Sequence, residues 1–298
     1  MLIIPKFSCK DSNNSVFLAT FATKVARMGC ISAKNNIAQD MKKIITITYA
    51  LLFTLCISAQ ILVIPDVHGR TFWKEAVERH PSLPVIFLGD YLDPYARENI
   101  TQEEALANFK DIISFKQANK DRVTLLIGNH EIHYLDSFYK FSRKDTLHAE
   151  YIHQLLVDHL SLFSMASQAE MNGKHILFTH AGVVESWWKK HFPDTPTDVV
   201  SVCNALNAKM INIETLGTFV DDALMDITKR RGGESEAGSC LWADLDEHRK
   251  SKSFNGIYQV FGHTQQKKKA VIKRSFADLD CRKAFLITPS GKIIEDKR

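Results

Sequence analysis

At Ile61-Leu62-Val63-Ile64-Pro65-Asp66-Val67-His68-Gly69-Arg70, four uninterrupted aliphatic residues give way within two positions to a carboxylate and then an imidazole. An aliphatic run of this kind fits a strand covered on both faces, as parallel sheets require. Polar groups placed directly after such a strand sit at its carboxyl end, where ligands bind in open α/β sheets. The construction recurs along the chain. Residues 85–88 lead into Gly89-Asp90, 123–127 into Gly128-Asn129-His130-Glu131, 175–179 into His180, and 257–261 into Gly262-His263. Between the first three runs lie helix-like stretches at 71–80 and 102–117. Strand, helix, strand at this spacing predicts a mainly parallel sheet. Further along, the pattern predicts helical segments over 147–169 and roughly 197–227. A Gly-rich loop at 231–239 and hairpin-spaced strands at 270–273 and 284–288 follow.

Each polar set alone says little, because Asp-x-His and Gly-Asp are common and eight of the twelve histidines lie outside these sets. Five sets on five successive strand ends say much more, since the sheet aims them at one place. Mixed oxygen and nitrogen donors without a thiolate suit Mn²⁺, Fe or Zn²⁺ and disfavour soft copper or a structural zinc. The six cysteines are widely spaced, with no C-x-x-C pair, so neither a disulfide framework nor a thiolate site is supported. The chain contains no Walker-type phosphate loop.

Composition divides the chain in two. The 298 residues are 45% hydrophobic and 24% charged, which excludes fibrous and disordered classes. The net charge of +4 is unevenly held: residues 1–59 carry seven basic and two acidic side chains, leaving 31 basic and 32 acidic in the remainder. A near-neutral body argues against a nucleic-acid partner. Lys267-Lys268-Lys269 and Arg230-Arg231 therefore read as solvated turns. Met41-Lys42-Lys43, an uncharged apolar stretch from Ile44 to about Ser58, and Ala59 reproduce the layout of a secretory signal. The predicted organisation is an N-terminal extension over 1–59, with a signal peptide at 41–59, and one catalytic domain over 60–298. This implies export, periplasmic or extracytoplasmic, with no stable membrane span in the mature chain. The alternatives are a retained anchor, since the uncharged run continues to Pro65, and a cytoplasmic protein carrying an untypical extension.

Pro65-Asp66-Val67-His68-Gly69, Gly89-Asp90-Tyr91-Leu92-Asp93 and Gly128-Asn129-His130-Glu131 resemble the three signature blocks of the calcineurin-like metallophosphoesterase superfamily. Within it they are similar to the phosphoprotein-phosphatase (Ser/Thr phosphatase-like) branch. Phe178-Thr179-His180-Ala181-Gly182, Leu241-Trp242-Ala243-Asp244 and Gly262-His263-Thr264 resemble its later blocks. The likeness covers almost all of the body and none of the leader. It implies an α/β fold, the four-layer αββα metallophosphatase sandwich, with mixed sheets and metal ligands at the strand C-terminal ends.

The resemblance also implies a dinuclear centre of two divalent ions (Mn, Fe or Zn), with Asp66 and His68 on the first, Asp90 bridging, and Asn129, His180 and His263 on the second. Two ions about 3.5–4 Å apart would activate a bridging hydroxide for in-line attack on phosphorus. His130, beside a ligand but not itself one, is then the expected general acid, and Asp93 the carboxylate that orients it. Glu131 reads as a hydrogen-bonding support.

The second block departs from the branch. Where an Arg-Gly pair usually follows the Asp, this chain has Asp93-Pro94-Tyr95-Ala96-Arg97. Arg70, Arg97 and Arg249 are the candidates to bind phosphate in its stead, because a guanidinium holds phosphate bidentately. The expected activity is a metal-dependent phosphomonoester phosphatase, of Ser/Thr type or broad specificity, acting on a phosphorylated protein or small molecule. A symmetrical dinucleoside-polyphosphate hydrolase and a non-catalytic binding domain of the same fold are the alternatives.

Overall fold

The structure, a computed structural model, describes residues 60–135, 143–216, 223–251, 254 and 256–297. The predicted leader and signal peptide lie outside them. Strands β1 (Ile61–Ile64), β2 (Val85–Phe87) and β3 (Val123–Leu126) are mutually parallel, and helices α1 (Phe72–Arg79) and α2 (Gln102–Ala118) connect them. The helix α2 starts at a capping box, in which Thr101 accepts from the Glu104 amide and Glu104 accepts from the Thr101 amide. After β3 come α3 (Asn129–Leu135), α4 (Ala149–Asp158), β4 (Phe163–Ser164), β5 (Ala166–Met171) and β6 (Lys174–Thr179). The chain then passes through α5 (Glu185–His191), α6 (Val199–Leu216), α7 (Leu245–Lys250) and β7 (Ile257–Phe261). It ends with β8 (Val271–Ile272), β9 (Phe276–Asp278), β10 (Phe285–Ile287) and β11 (Ile293–Glu295).

Two mixed sheets result, ordered β11-β10-β1-β2-β3-β4 and β5-β6-β7-β9-β8. Alternation along β1 explains how they stack. Leu62 and Ile64 face the helix side, packing with Trp73, Ala76 and Phe109, whereas Ile61 and Val63 join Ile176, Phe178, Tyr258 and Val260 of the second sheet. Because side chains alternate across a strand, one aliphatic run serves two cores. The helix α6 covers β5 and β6 on the far side, which completes helix, sheet, sheet, helix. No helix among the described residues is long and apolar enough to cross a membrane.

One expected helix is corrected. Over 147–169 helix is confined to α4 and a 3-10 turn at Leu160–Leu162, and 163–169 form β4 and most of β5. Asn172 and Gly173, both at positive φ (52° and 71°), close a two-residue hairpin between Met171 and Lys174. Asn-Gly is the strongest short hairpin signal, and it outweighs the helix-like spacing before it. Likewise α6 is described over Val199–Leu216, and residues 223–227 carry no helix, against the expected 197–227. The three-residue strands β9 and β11 and the short helices α5 and α7 have too few periodic positions to be read from sequence. The three cysteines of the body, Cys203, Cys240 and Cys281, are free and buried.

Candidate active site

The carboxyl ends of β1, β2, β3, β6 and β7 deliver the polar residues to one place. The turns that do so are conformationally demanding: His68, Asp90 and His263 have φ of 44°, 54° and 69°, a region non-glycine residues seldom occupy. Strain of this kind persists where surrounding structure enforces it. Glycines permit the close crossing. At Gly89 (φ 102°) an added Cβ would lie 2.6 Å from the Gly128 nitrogen, and at Gly262 it would lie 1.9 Å from Asp66 Oδ1. Glu131 ties the β2 and β3 turns together, its oxygens accepting from the amides of Asp90 (2.9 Å), Tyr91 (2.8 Å) and Gly128 (2.9 Å). Burial, then the Asp90 charge, push its carboxyl up to about 8.

The chemistry of the donor set identifies a cation site. Backbone carbonyls hold two rings: Nδ1 of His180 donates to Leu88 O (2.8 Å), and Nδ1 of His68 to Leu92 O (2.8 Å). Each ring therefore presents a lone pair at Nε2. His180 Nε2 faces Asn129 Oδ1 at 2.9 Å, His263 Nδ1 at 3.1 Å and Asp90 Oδ1 at 3.5 Å. His68 Nε2 faces Asp90 Oδ2 at 3.5 Å. Acceptors thus converge on acceptors, an arrangement that a divalent ion satisfies. His68, Asp90 and His130 form one group of suitable spacing, and Asp90, His180 and His263 another, so that Asp90 belongs to both. Burial, the largest cause, holds His68 and His263 well below the usual histidine range and lowers His180 as well. Neutral rings are what metal ligation needs. The sixth expected ligand, Asp66, is fully buried beside this set, and both its oxygens accept from the His263 amide at 3.0 Å. Burial, then Asp280 and Asp90, raise its carboxyl well above the ordinary value.

His130 occupies a different setting. Its Nδ1 bonds Asp93 Oδ2 at 2.6 Å, and Asp93 Oδ1 accepts from the Tyr134 hydroxyl. Burial lowers the His130 pKa, but Asp90 and Asp93 more than reverse this and raise it. Asp93 is held below the usual carboxylate range: burial opposes this, and the hydrogen bonds of His130 and His133 outweigh it. His133, three residues on along α3, stacks on Trp242 with ring centroids 5.6 Å apart.

The phosphate-binding candidates are placed differently from expectation. His68, Asp90, Tyr95, Asn129, His130, His133, Arg143, Arg231, Trp242 and His263 line the pocket. Arg70 is instead held by Glu98 (2.5 Å) and by backbone carbonyls, Arg97 bonds Gln265 and lies over the Tyr95 ring, and exposed Arg249 pairs with Asp246 on its own helix. The guanidinium groups in the pocket are Arg143 and Arg231. Arg143 donates to Asp93 O (2.6 Å), reaches His130 Nε2 (2.9 Å) and covers Tyr95 (3.8 Å to the centroid). Arg231 bonds Thr264 Oγ1 (2.7 Å) and pairs with Asp244 (3.1 Å). Arg231 thus corrects its reading as part of a solvated turn. Its position 11 residues before Trp242 was the available signal. Arg143 has none in sequence, since its contact with His130 lies 13 residues away along the chain. His133 had its helical i,i+3 spacing from His130.

Among solved structures, the chain is similar to the cold-active protein-tyrosine phosphatase of a psychrophilic Shewanella species, at 14% identity over 80% of each chain and a TM-score of 0.47. It is also similar to a protein serine/threonine phosphatase from Saccharomyces cerevisiae, at 13% identity over 81% of this chain and 80% of that one, with a TM-score of 0.47. A phosphoesterase from E. coli matches at 10% identity, over 79% of this chain and 96% of that one, with a TM-score of 0.32. Residues 59–266 match the family model described as calcineurin-like phosphoesterase, the stretch that contains all six expected ligands, His130 and Asp93. The chain belongs to the calcineurin-like phosphoesterase family, enzymes that hydrolyse phosphoester bonds at a dinuclear metal centre.

Proposed function

We propose that this protein is a phosphomonoester phosphatase, of Ser/Thr type or broad specificity. The observation that carries the reading is the pairing, in one pocket, of a buried acceptor cluster with a carboxylate-held histidine and two guanidinium groups. Asp66, His68, Asp90, Asn129, His180 and His263 would hold two divalent ions, Mn²⁺ being the first to test. When bound, such ions supply Lewis acidity toward phosphate and activate water near neutral pH. Arg143 and Arg231 bind the phosphoryl oxygens. A guanidinium only donates, so His130 Nε2 accepts from Arg143 while Nδ1 keeps its proton on Asp93. A dianionic phosphoryl group competes for Arg143, and its withdrawal frees Nε2 to carry the proton that the leaving oxygen needs. Asp93 orients that ring and favours its charged form.

Phosphate release from a phosphopeptide, p-nitrophenyl phosphate and a dinucleoside tetraphosphate, each with Mn²⁺, tests the reading. Turnover of the first two is expected. Turnover of the tetraphosphate alone would make the protein a dinucleoside-polyphosphate hydrolase, and no turnover by protein holding fewer than two ions would make it a binding domain. We also propose that 60–298 is the catalytic unit and that 41–59 directs its export. N-terminal sequencing of the natural protein tests this, and a mature start near Met1 would overturn it.

A further inference from the structure

Asp280 is 1% exposed, and neither of its carboxylate oxygens has a hydrogen-bond partner. A buried carboxylate without a donor is costly, and the fold spends backbone bonds to keep it there. Its amide donates to Asp278 Oδ1 (3.1 Å) and its carbonyl accepts from the Gln266 amide (2.6 Å). The preceding residue extends the β7–β9 pairing, Leu279 donating to Phe261 O at 2.8 Å. This sets Asp280 level with Gly262 and His263, the residues against which the Asp66 carboxylate rests. Asp66 and Asp280, 0% and 1% exposed, therefore both adjoin the Gly262-His263 turn. Burial raises the Asp280 carboxyl and the Arg70 charge opposes this, with the Arg70 Nε and one terminal nitrogen already engaged by Glu98.

We propose that Asp280 is a further anionic group of the metal centre, one that holds the cation on the Asp66 side. Its role is positioning and charge: like-charged groups forced together stabilise a divalent ion placed among them, and a supporting group of this kind typically contributes about 10–100-fold in metal affinity. The proposal rests on the dinuclear reading above. The test titrates Mn²⁺ into the full chain and into Asp280→Asn by calorimetry, with thermal unfolding in chelator alongside. The wild-type chain is expected to bind two ions. Asp280→Asn is expected to keep one at wild-type affinity, to weaken the other about 10–100-fold, and to unfold in chelator no lower than wild type. Two ions at wild-type affinity in Asp280→Asn would overturn the proposal and leave the dinuclear reading standing. Loss of both ions with a lowered chelator-state midpoint would overturn it in favour of a structural role. Fewer than two ions on the wild-type chain would overturn both. Asp280→Ala, smaller and also uncharged, repeats the measurement where Asp280→Asn does not fold.

Discussion

His130 and His248 are both buried histidines, and the protein treats them in opposite ways. His248, on α7, wedges against Gly182, Phe261 and Phe276 and gives Nε2–H to Ala181 O (2.8 Å). Burial pushes it down to about 4, so it stays neutral. His130 is as buried, yet Asp90 and Asp93 raise it above the ordinary histidine value. Burial alone makes a histidine part of the core. A carboxylate at 2.6 Å, with Asp90 beside it, turns the shift upward.

Five substitutions sharpen or break that contrast. The largest effect is expected for His130→Asn, which should lose about 10²–10⁴ in turnover while retaining both ions by metal analysis. Loss of metal would instead make His130 a ligand, as its grouping with His68 and Asp90 allows. Asp93→Asn should convert His130 toward the behaviour of His248. An acid must be protonated to act, so activity falls as pH rises through the His130 pKa. Removing the carboxylate lowers that pKa, and the alkaline limb of the pH–rate profile should move to lower pH, with a smaller loss than for His130→Asn.

In the core, His248→Gln tests the other half of the comparison. The unfolded chain takes up the His248 proton near 6.5 and the folded chain only near 4. Stability is therefore whole above pH 6.5 and falls as pH drops toward 4, by roughly 3 kcal/mol from this residue. Denaturant unfolding across that window should be flatter in the variant; an unchanged slope would remove His248 as the cause. The smallest effect is expected at the pocket wall. Arg143→Ala should raise KM for a phosphomonoester about 10–100-fold, the range for losing a hydrogen bond to a charged group, with metal content unchanged. An equal loss in Arg70→Ala would return phosphate binding to the residue read from sequence.

Several parts of the molecule are legible in the sequence. Aliphatic runs at β1, β2, β3, β6 and β7 announce strands because each is long enough to be buried on both sides, and the residues after them announce a site because strand ends are where α/β folds present ligands. The Asn172-Gly173 hairpin signal is legible too, directly after the helix expected over 147–169. Arg143 was not legible: no local pattern marks a surface cation that will fold back 13 residues onto His130 Nε2. Asp280 was hidden for the same reason, its meaning depending on where β9 pairs.

What the sequence determined by itself is the chemistry of the donors and their order on the strands, since alternation and strand length are local properties. Tertiary structure alone decided which guanidinium groups line the pocket, which buried histidine has its pKa raised and which carboxylate is left without a donor. Those depend on burial and on distances of a few ångströms between segments far apart in the chain. Charge interactions change most steeply at such distances, in surroundings from which water is excluded.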